Sequence, residues 1–171
     1  MSQGSDDARR PTALELVEEL QRLFDATDFR LVRDSLDGRL SREQSDELLG
    51  PFSRFVRDAV DPEVVIDFTA ARVPADYTQR FAGWRGWVEF WRLWFEPWDE
   101  QRSENEMEEL DRDRVIQRTI THNVGRGSGA PVKWEGYNFW GARDGRLVRL
   151  EQFATRDEAL DAARRFGGES G

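Results

Sequence analysis

Apolar residues in the first third of the chain recur at the three- to four-residue spacing of helices. A Thr-x-x-Glu capping box begins at Thr12, and the leucines that follow it predict a helix over 13–24. A second, shorter helix is predicted over 28–37 by the same spacing. Another capping box begins at Ser41, and Pro51 favours the start of a further helical piece, because proline suits the first turn of a helix.

The middle of the chain changes to the pattern of a strand and then returns to helix. Residues 63–70 are rich in β-branched and apolar types and lie between prolines, which predicts a strand. After a loop through Tyr77, residues 83–95 predict a helix with four tryptophans on one face: Trp84, Trp87, Trp91 and Trp94. That stripe is typical of a helix packed on a sheet, and it also suits a cavity wall, since one helix can do both.

The last third of the chain has the alternation and turns of an antiparallel sheet, followed by a helix. Strands are predicted over 104–110, 114–124, 131–142 and 147–154. A glycine-rich turn at 125–129 and an Asp-Gly turn at 144–145 separate the last three strands. Thr155 has the position of an N-cap for a final helix that ends before Gly167.

This order of elements predicts an α+β fold organised as one domain. Helices come first and an antiparallel sheet crossed by helices follows. The chain has 171 residues, of which 38% are hydrophobic, enough to fill a single core. The domain is expected over 12–166, with an extended helical region at 25–60, a flexible tail at 1–11 and a further tail at 167–171.

The charge balance of the chain is acidic. Asp and Glu number 34 against 25 Lys and Arg, which gives a formal net charge of −9. Nucleic acids and anionic membrane surfaces attract clustered positive charge, so neither is expected as a partner. No apolar leader segment opens the chain and no run of 18 apolar residues occurs, which predicts a cytoplasmic protein.

Residue types limit the chemistry further. The chain has no cysteine and one histidine, His122, which excludes disulfides, thiolate nucleophiles, iron–sulfur ligation and zinc sites built on Cys or several His. A carboxylate metal site survives, because residues 96–113 hold nine acidic residues. We interpret that segment as a solvated edge strand, with metal binding as the alternative, and expect no cofactor.

Two titratable residues stand out within the predicted strands. Alternation places Asp67 on one face of its strand and the apolar Ile66 and Phe68 on the other. A carboxylate among apolar neighbours loses hydration and becomes a better proton acceptor, so Asp67 is a candidate base; the alternative is a buried acid paired with an arginine. His122, at the end of a strand beside Asn123, is either a surface or hydrogen-bonded residue or a functional one, as a catalyst or a contact for a ligand.

Four stretches resemble the SnoaL-like and ketosteroid isomerase-like superfamily, whose members are related to nuclear transport factor 2. They are DPEVVIDF at 61–68, GWRGWVEFWRLW at 83–94, GRGSGAPV at 125–132 and ARDGRLVRLEQFATRDEALDAA at 142–163, the last two being similar to actinobacterial SnoaL-like proteins. The resemblance covers about 61–166. It implies a cone-shaped, curved antiparallel sheet wrapped around a pocket and packed by N-terminal helices, the Trp-rich helix and a short C-terminal helix.

The resemblance also implies roles for individual residues. Asp67 falls where ketosteroid isomerases hold their proton-shuttling aspartate, and Phe90 and Trp91 fall on aromatic pocket positions. The second acid of the isomerases, which donates to the oxyanion, maps to Asn138, or to Tyr137 if the register shifts by one. Their tyrosine in the first helix has no counterpart, since residues 13–24 contain none.

Two classes of function follow from this resemblance. The first is cofactor-independent proton transfer by an isomerase, cyclase or dehydratase on an apolar carbonyl or polyketide-like molecule, with Asp67 as base and Asn138 or Tyr137 as donor. The second is a non-catalytic module that binds an apolar ligand or assembles as a dimer. In both, alternation places Trp140 and Gln152 in the cavity wall. A homodimer joined through the outer face of the sheet is expected.

Overall fold

The computed structural model describes residues 10–73 and 78–169, so the predicted loop through Tyr77 has its centre outside the described residues. The helices are α1 (Ala13–Asp25), α2 (Phe29–Leu36), α3 (Arg42–Ala59), α4 (Gly83–Phe95) and α5 (Arg156–Gly168). The strands are β1 (Val60–Asp67), β2 (Arg80–Ala82), β3 (Trp98–Asp111), β4 (Arg114–Gly125), β5 (Pro131–Arg143) and β6 (Arg146–Phe153). The α+β class predicted from the sequence is confirmed.

The strands form one open sheet in the order β2-β1-β6-β5-β4-β3. Every neighbouring pair is antiparallel except β1 and β6, which run parallel with Ile66 beside Leu150. The four strands predicted over 104–154 are antiparallel as expected, and the parallel pairing of β1 with β6 makes the whole sheet mixed. Helix α4 and four strands separate β1 from β6 in the chain, and a connection of that length allows a parallel pairing.

Two element boundaries differ from the prediction for identifiable reasons. Pro51 does not start a separate piece but lies inside the continuous helix α3, whose later residues Phe55 and Ala59 are buried in the core. Strand β3 begins at Trp98 rather than 104, because it pairs with β4 along nearly its whole length. β3 is an edge strand, as expected for the acidic segment.

The sheet has two faces with separate packing. The inner face carries residues such as Val115 and Trp140 and is covered by α1, α3 and α4. The outer face carries residues such as Ile116 and Phe139 and is covered at one end by α5. Neighbouring residues alternate between these faces, so a shift of one position moves a side chain from one environment to the other.

Helix α2 is attached to the sheet mainly by ion pairs. Arg33 lies 2.5 Å from Asp99 at the start of β3, and Asp37 lies 2.8 Å from Arg126 in the β4–β5 turn. That turn is the glycine-rich segment 125–129, and its Gly127 has a φ of 72°, which favours glycine. The helical extension is therefore fixed beside the open end of the inner face.

Helix α5 is held close against the outer face and extends past its expected end, through Gly168. Arg114 donates to the carbonyl of Ala163 at 2.9 Å. A Cβ atom at Gly141 would come within 2.8 Å of the Phe166 ring, so this glycine permits the close packing. In the described part of the chain, no helix is long and apolar enough to cross a membrane.

Candidate functional site

A cavity of about 360 Å³ lies between the inner face of the sheet and the helices α1, α2 and α4. Aromatic residues form much of its wall: Phe24, Phe29, Phe68, Phe90, Trp91, Trp94, Phe95, Trp134 and Trp140. Exposed residues at its mouth include Asp25, Arg102 and Ser103. We call this space the inner cavity. Its volume is that of sites that hold small organic molecules.

The structure brings five of the candidate residues together in this wall. They are Phe90, Trp91, Asn138, Trp140 and Gln152. Gln152 is only 1% exposed and forms part of the deep end, which we call the floor. Strand alternation explains the grouping, because positions two apart on β5 point to the same face.

The other three candidates do not line the inner cavity. Asp67 lies on the face of β1 opposite the buried Ile66. Its Oδ1 accepts two hydrogen bonds from Thr69, one from the backbone N–H at 2.9 Å and one from the side-chain hydroxyl at 2.6 Å. Tyr137 packs with the α5 cluster on the outer face. His122 faces outward too, with Nε2 3.0 Å from a Glu104 carboxylate oxygen.

The tryptophan stripe serves both of the purposes that its spacing suggests. Trp87 is buried in the core, whereas Trp91 and Trp94 line the inner cavity. Trp84 is 38% exposed and donates its indole N–H to the carbonyl of Val60 at 3.0 Å. One helix thus packs on the sheet and supplies a cavity wall.

Side-chain amides form a hydrogen-bonded chain across the sheet, beginning at the floor. Gln152 Nε2 donates to Asn138 Oδ1 at 2.7 Å, and Asn138 Nδ2 donates to Gln117 Oε1 at 2.9 Å. The indole N–H of Trp140 donates to the same Gln117 oxygen at 2.8 Å. Gln117 is therefore the junction of this network, and it is 5% exposed.

From Gln117 the chain continues to the mouth of the cavity. Gln117 Nε2 donates to Asn105 Oδ1 at 2.9 Å, and Asn105 Nδ2 donates to Gln21 Oε1 at 2.8 Å. Gln21 Nε2 then donates to the Asp25 carboxylate at 2.9 Å. We call the five amides that make these bonds the amide chain: Gln152, Asn138, Gln117, Asn105 and Gln21.

Sequence reasoning missed three members of the amide chain, Gln117, Asn105 and Gln21. One signal could have revealed the first of them. The buried positions of β4 are polar at Gln117 and also at Thr119, and polar side chains on a buried strand face need partners. The partners themselves lie on other elements, so they could be found only once the strand register was known.

Three buried polar atoms at the inner cavity have no hydrogen-bond partner among residues 10–73 and 78–169. Two are donors, Trp91 Nε1 and Gln101 Nε2, and one is an acceptor, Gln152 Oε1. Buried polar groups in proteins are nearly always paired. Their position in a cavity wall indicates groups that a bound molecule could pair with.

A second cavity of about 370 Å³ lies under the helical extension, between α1, α2, α3 and α4. Its lining is mainly apolar and includes Phe52, Val56 and Val88. The side chains of Phe24 and Trp91 line both cavities and so separate them. The extension at 25–60 thus contributes walls to both spaces.

No protein-family model and no curated protein matches this sequence. Solved structures do match. A protein assigned as a SnoaL-like polyketide cyclase from Jannaschia sp. CCS1 is 18% identical over 91% of this chain and 94% of its own, with a TM-score of 0.56. An NTF2-like protein of unknown function from Burkholderia pseudomallei K96243 is 17% identical over 77% and 92%, with a TM-score of 0.51.

The chain therefore has the SnoaL-like, NTF2-like fold. TerC, co-crystallised with polyporic acid, shares this fold at 15% identity over 85% of this chain and 95% of its own, with a TM-score of 0.50. The resemblance predicted from the four sequence stretches is confirmed for the fold, and a pocket for a small molecule fits it. Identities at this level do not transfer an activity.

Proposed function

We propose that this protein binds a flat, ring-containing organic molecule in the inner cavity and holds it by aromatic contact and neutral hydrogen bonds. The amide chain is the observation that carries this proposal. Its side chains hydrogen-bond strongly but do not take up or release protons near neutral pH. They suit recognition of a ligand better than general acid–base catalysis.

The aromatic wall supports a flat ligand. Trp91 lies 4.8 Å from Phe24 and 4.9 Å from Phe90 between ring centroids, and Trp94 lies 5.8 Å from Trp134. Rings at such distances favour offset or edge-to-face contact with a further ring. A straight alkyl chain would fill the space between these surfaces less completely.

Proton transfer by an isomerase or cyclase has less support. The described residues with charged side chains in the cavity wall are Asp25 and Arg102, both exposed at the mouth. Asp67 accepts hydrogen bonds from Thr69 away from the cavity. Asn138, the candidate oxyanion donor, already donates to Gln117.

Tryptophan fluorescence provides the first test. We expect 2-naphthol and 2-naphthylamine to quench the fluorescence with dissociation constants of about 10–100 µM, as suits ligands of this size. Decanoate should have no effect over the same range. If neither naphthalene quenches the fluorescence and calorimetry confirms that neither binds, the proposal is contradicted.

A matched pair of variants locates the binding site. Thr121→Phe adds a ring at an inward position of β4 that lines the cavity, whereas His122→Phe adds the same ring one position later, on the outer face. Thr121→Phe should abolish binding of 2-naphthol, and His122→Phe should preserve it, with both proteins checked by thermal unfolding. Equal binding by two folded variants would place the ligand elsewhere.

The homodimer through the outer face stays a prediction. Arg118 on this face lies 2.8 Å from Glu135 and 3.2 Å from Glu106, and these contacts hold the pKa of Arg118 above its usual value. A charge that is already paired within the chain can be buried between two copies at less cost than an unpaired one. Light scattering at tens of micromolar protein should give twice the mass of the chain, and Arg118→Glu should halve it.

A further inference from the structure

The direction of the hydrogen bonds in the amide chain is fixed at two points. An indole N–H can only donate, so the Gln117 atom facing Trp140 is the oxygen, and its nitrogen faces Asn105. An ionised carboxylate can only accept, so the Gln21 atom facing Asp25 is the nitrogen. Both constraints require the same direction: from Gln117 through Asn105 to Gln21, each side-chain amide donates its hydrogen bond toward the mouth of the cavity.

Reversal of a single amide would break this agreement. If Asn138 turned over, its oxygen would face the Gln117 oxygen that Trp140 holds in place. Two acceptors at hydrogen-bond distance repel each other, and both would lose a partner. The orientation of Asn138 is therefore determined by Trp140 through Gln117.

This direction determines which atom is left over at the floor. Because Asn138 presents its oxygen to Gln152, Gln152 must present its nitrogen in return, at 2.7 Å. Gln152 Oε1 then remains, buried and without a partner among the described residues. A buried acceptor without a partner costs free energy, and a ligand that donates to it removes that cost.

We propose that the inner cavity selects ligands that carry a hydroxyl or N–H group, which donates to Gln152 Oε1 at the floor. This inference rests on the proposed binding of a ring-containing molecule and specifies its chemical class as hydroxylated or aminated arenes. A ligand whose only polar atoms at the floor are acceptors faces the acceptor Gln152 Oε1 and forms no hydrogen bond with it. Selection arises because the ordered amide chain cannot reverse to offer a donor.

The test compares matched ligands on the unaltered protein by calorimetry. 2-Naphthol and 2-naphthylamine should bind about 10- to 100-fold more tightly than 2-methoxynaphthalene, which has a similar ring but no donor. If all three bind with equal affinity, the selection of donors is wrong while the proposed function stands. If none binds, the proposed function itself fails.

Two variants assign the selection to Gln152. Gln152→Met keeps the length of the side chain and removes its acceptor, so 2-naphthol and 2-methoxynaphthalene should then bind equally. Tyr137→Phe removes a polar group from the opposite face of β5 and should leave the selection unchanged. A selection that survives Gln152→Met would overturn the proposal.

A measurement on the unaltered protein covers the case in which Gln152→Met does not fold. In ¹⁵N-labelled protein, the side-chain amide resonance of Gln152 should shift when 2-naphthol binds, because its carbonyl then accepts a hydrogen bond. 2-Methoxynaphthalene should shift it much less. Equal shifts with both ligands would contradict a hydrogen bond at Gln152 Oε1.

Discussion

Replacing Gln117 with leucine should lower the free energy of unfolding by about 3–9 kcal/mol, since three polar groups lose their partner at once. Trp140 Nε1 and Asn138 Nδ2 would lose their acceptor, and Asn105 Oδ1 would lose its donor. Each such group costs about 1–3 kcal/mol when it is left buried and unpaired. Leucine has a similar volume, so little of the effect would come from a cavity.

Thr119→Val is the matched control for this substitution. Thr119 is the next inward position of β4 and is 6% exposed, and valine has nearly the same shape. Chemical denaturation should show a loss below about 1 kcal/mol for Thr119→Val, as is usual where no network is broken. Equal losses for the two variants would mean that the amide chain contributes no particular stability.

The local elements could be predicted from the sequence because their signals are local. The capping boxes at Thr12 and Thr155 begin helices where the spacing placed them. The Asp144-Gly145 turn joins β5 to β6 with φ values of 54° and 75°. The three-residue strand β2 and the parallel pairing of β1 with β6 depend on distant partners, and no periodicity within one segment reports them.

The placement of Asp67 shows where pattern and resemblance diverge. Alternation already separated it from Ile66 and Phe68, and the apolar side of that strand is the one that faces the core. Resemblance to the isomerases assigned Asp67 to the pocket, whereas the alternation of this strand places its side chain on the face away from the inner cavity. On β5, alternation grouped Asn138 with Trp140, and these two side chains and Gln152 of β6 line the inner cavity.

Replacing Gln152 with glutamate should make the stability of the protein depend on pH. A protonated carboxyl group at this position can donate to Asn138 Oδ1 as the amide does. The carboxylate form would instead face that oxygen as a second acceptor, and the site is only 1% exposed. Asn138 cannot turn over to offer its nitrogen, because Trp140 fixes Gln117. Burial and the facing acceptor therefore both raise the pKa of the new carboxyl group in the folded state.

The sign of the effect follows from proton linkage. A raised pKa means that the folded state binds the proton more tightly than the unfolded chain does, so Gln152→Glu should approach the stability of the unaltered protein near pH 4. Its stability should fall as the pH rises through the raised pKa, and about 3–4 kcal/mol should be lost by pH 8 for a rise of about 2–3 units. Gln44→Glu adds the same charge at an exposed helix start and should change stability little at either pH. Urea denaturation of both variants and the unaltered protein at pH 4.5 and pH 8 measures these free energies of unfolding. If the difference between Gln152→Glu and the unaltered protein is the same at both pH values, the amide chain can reverse.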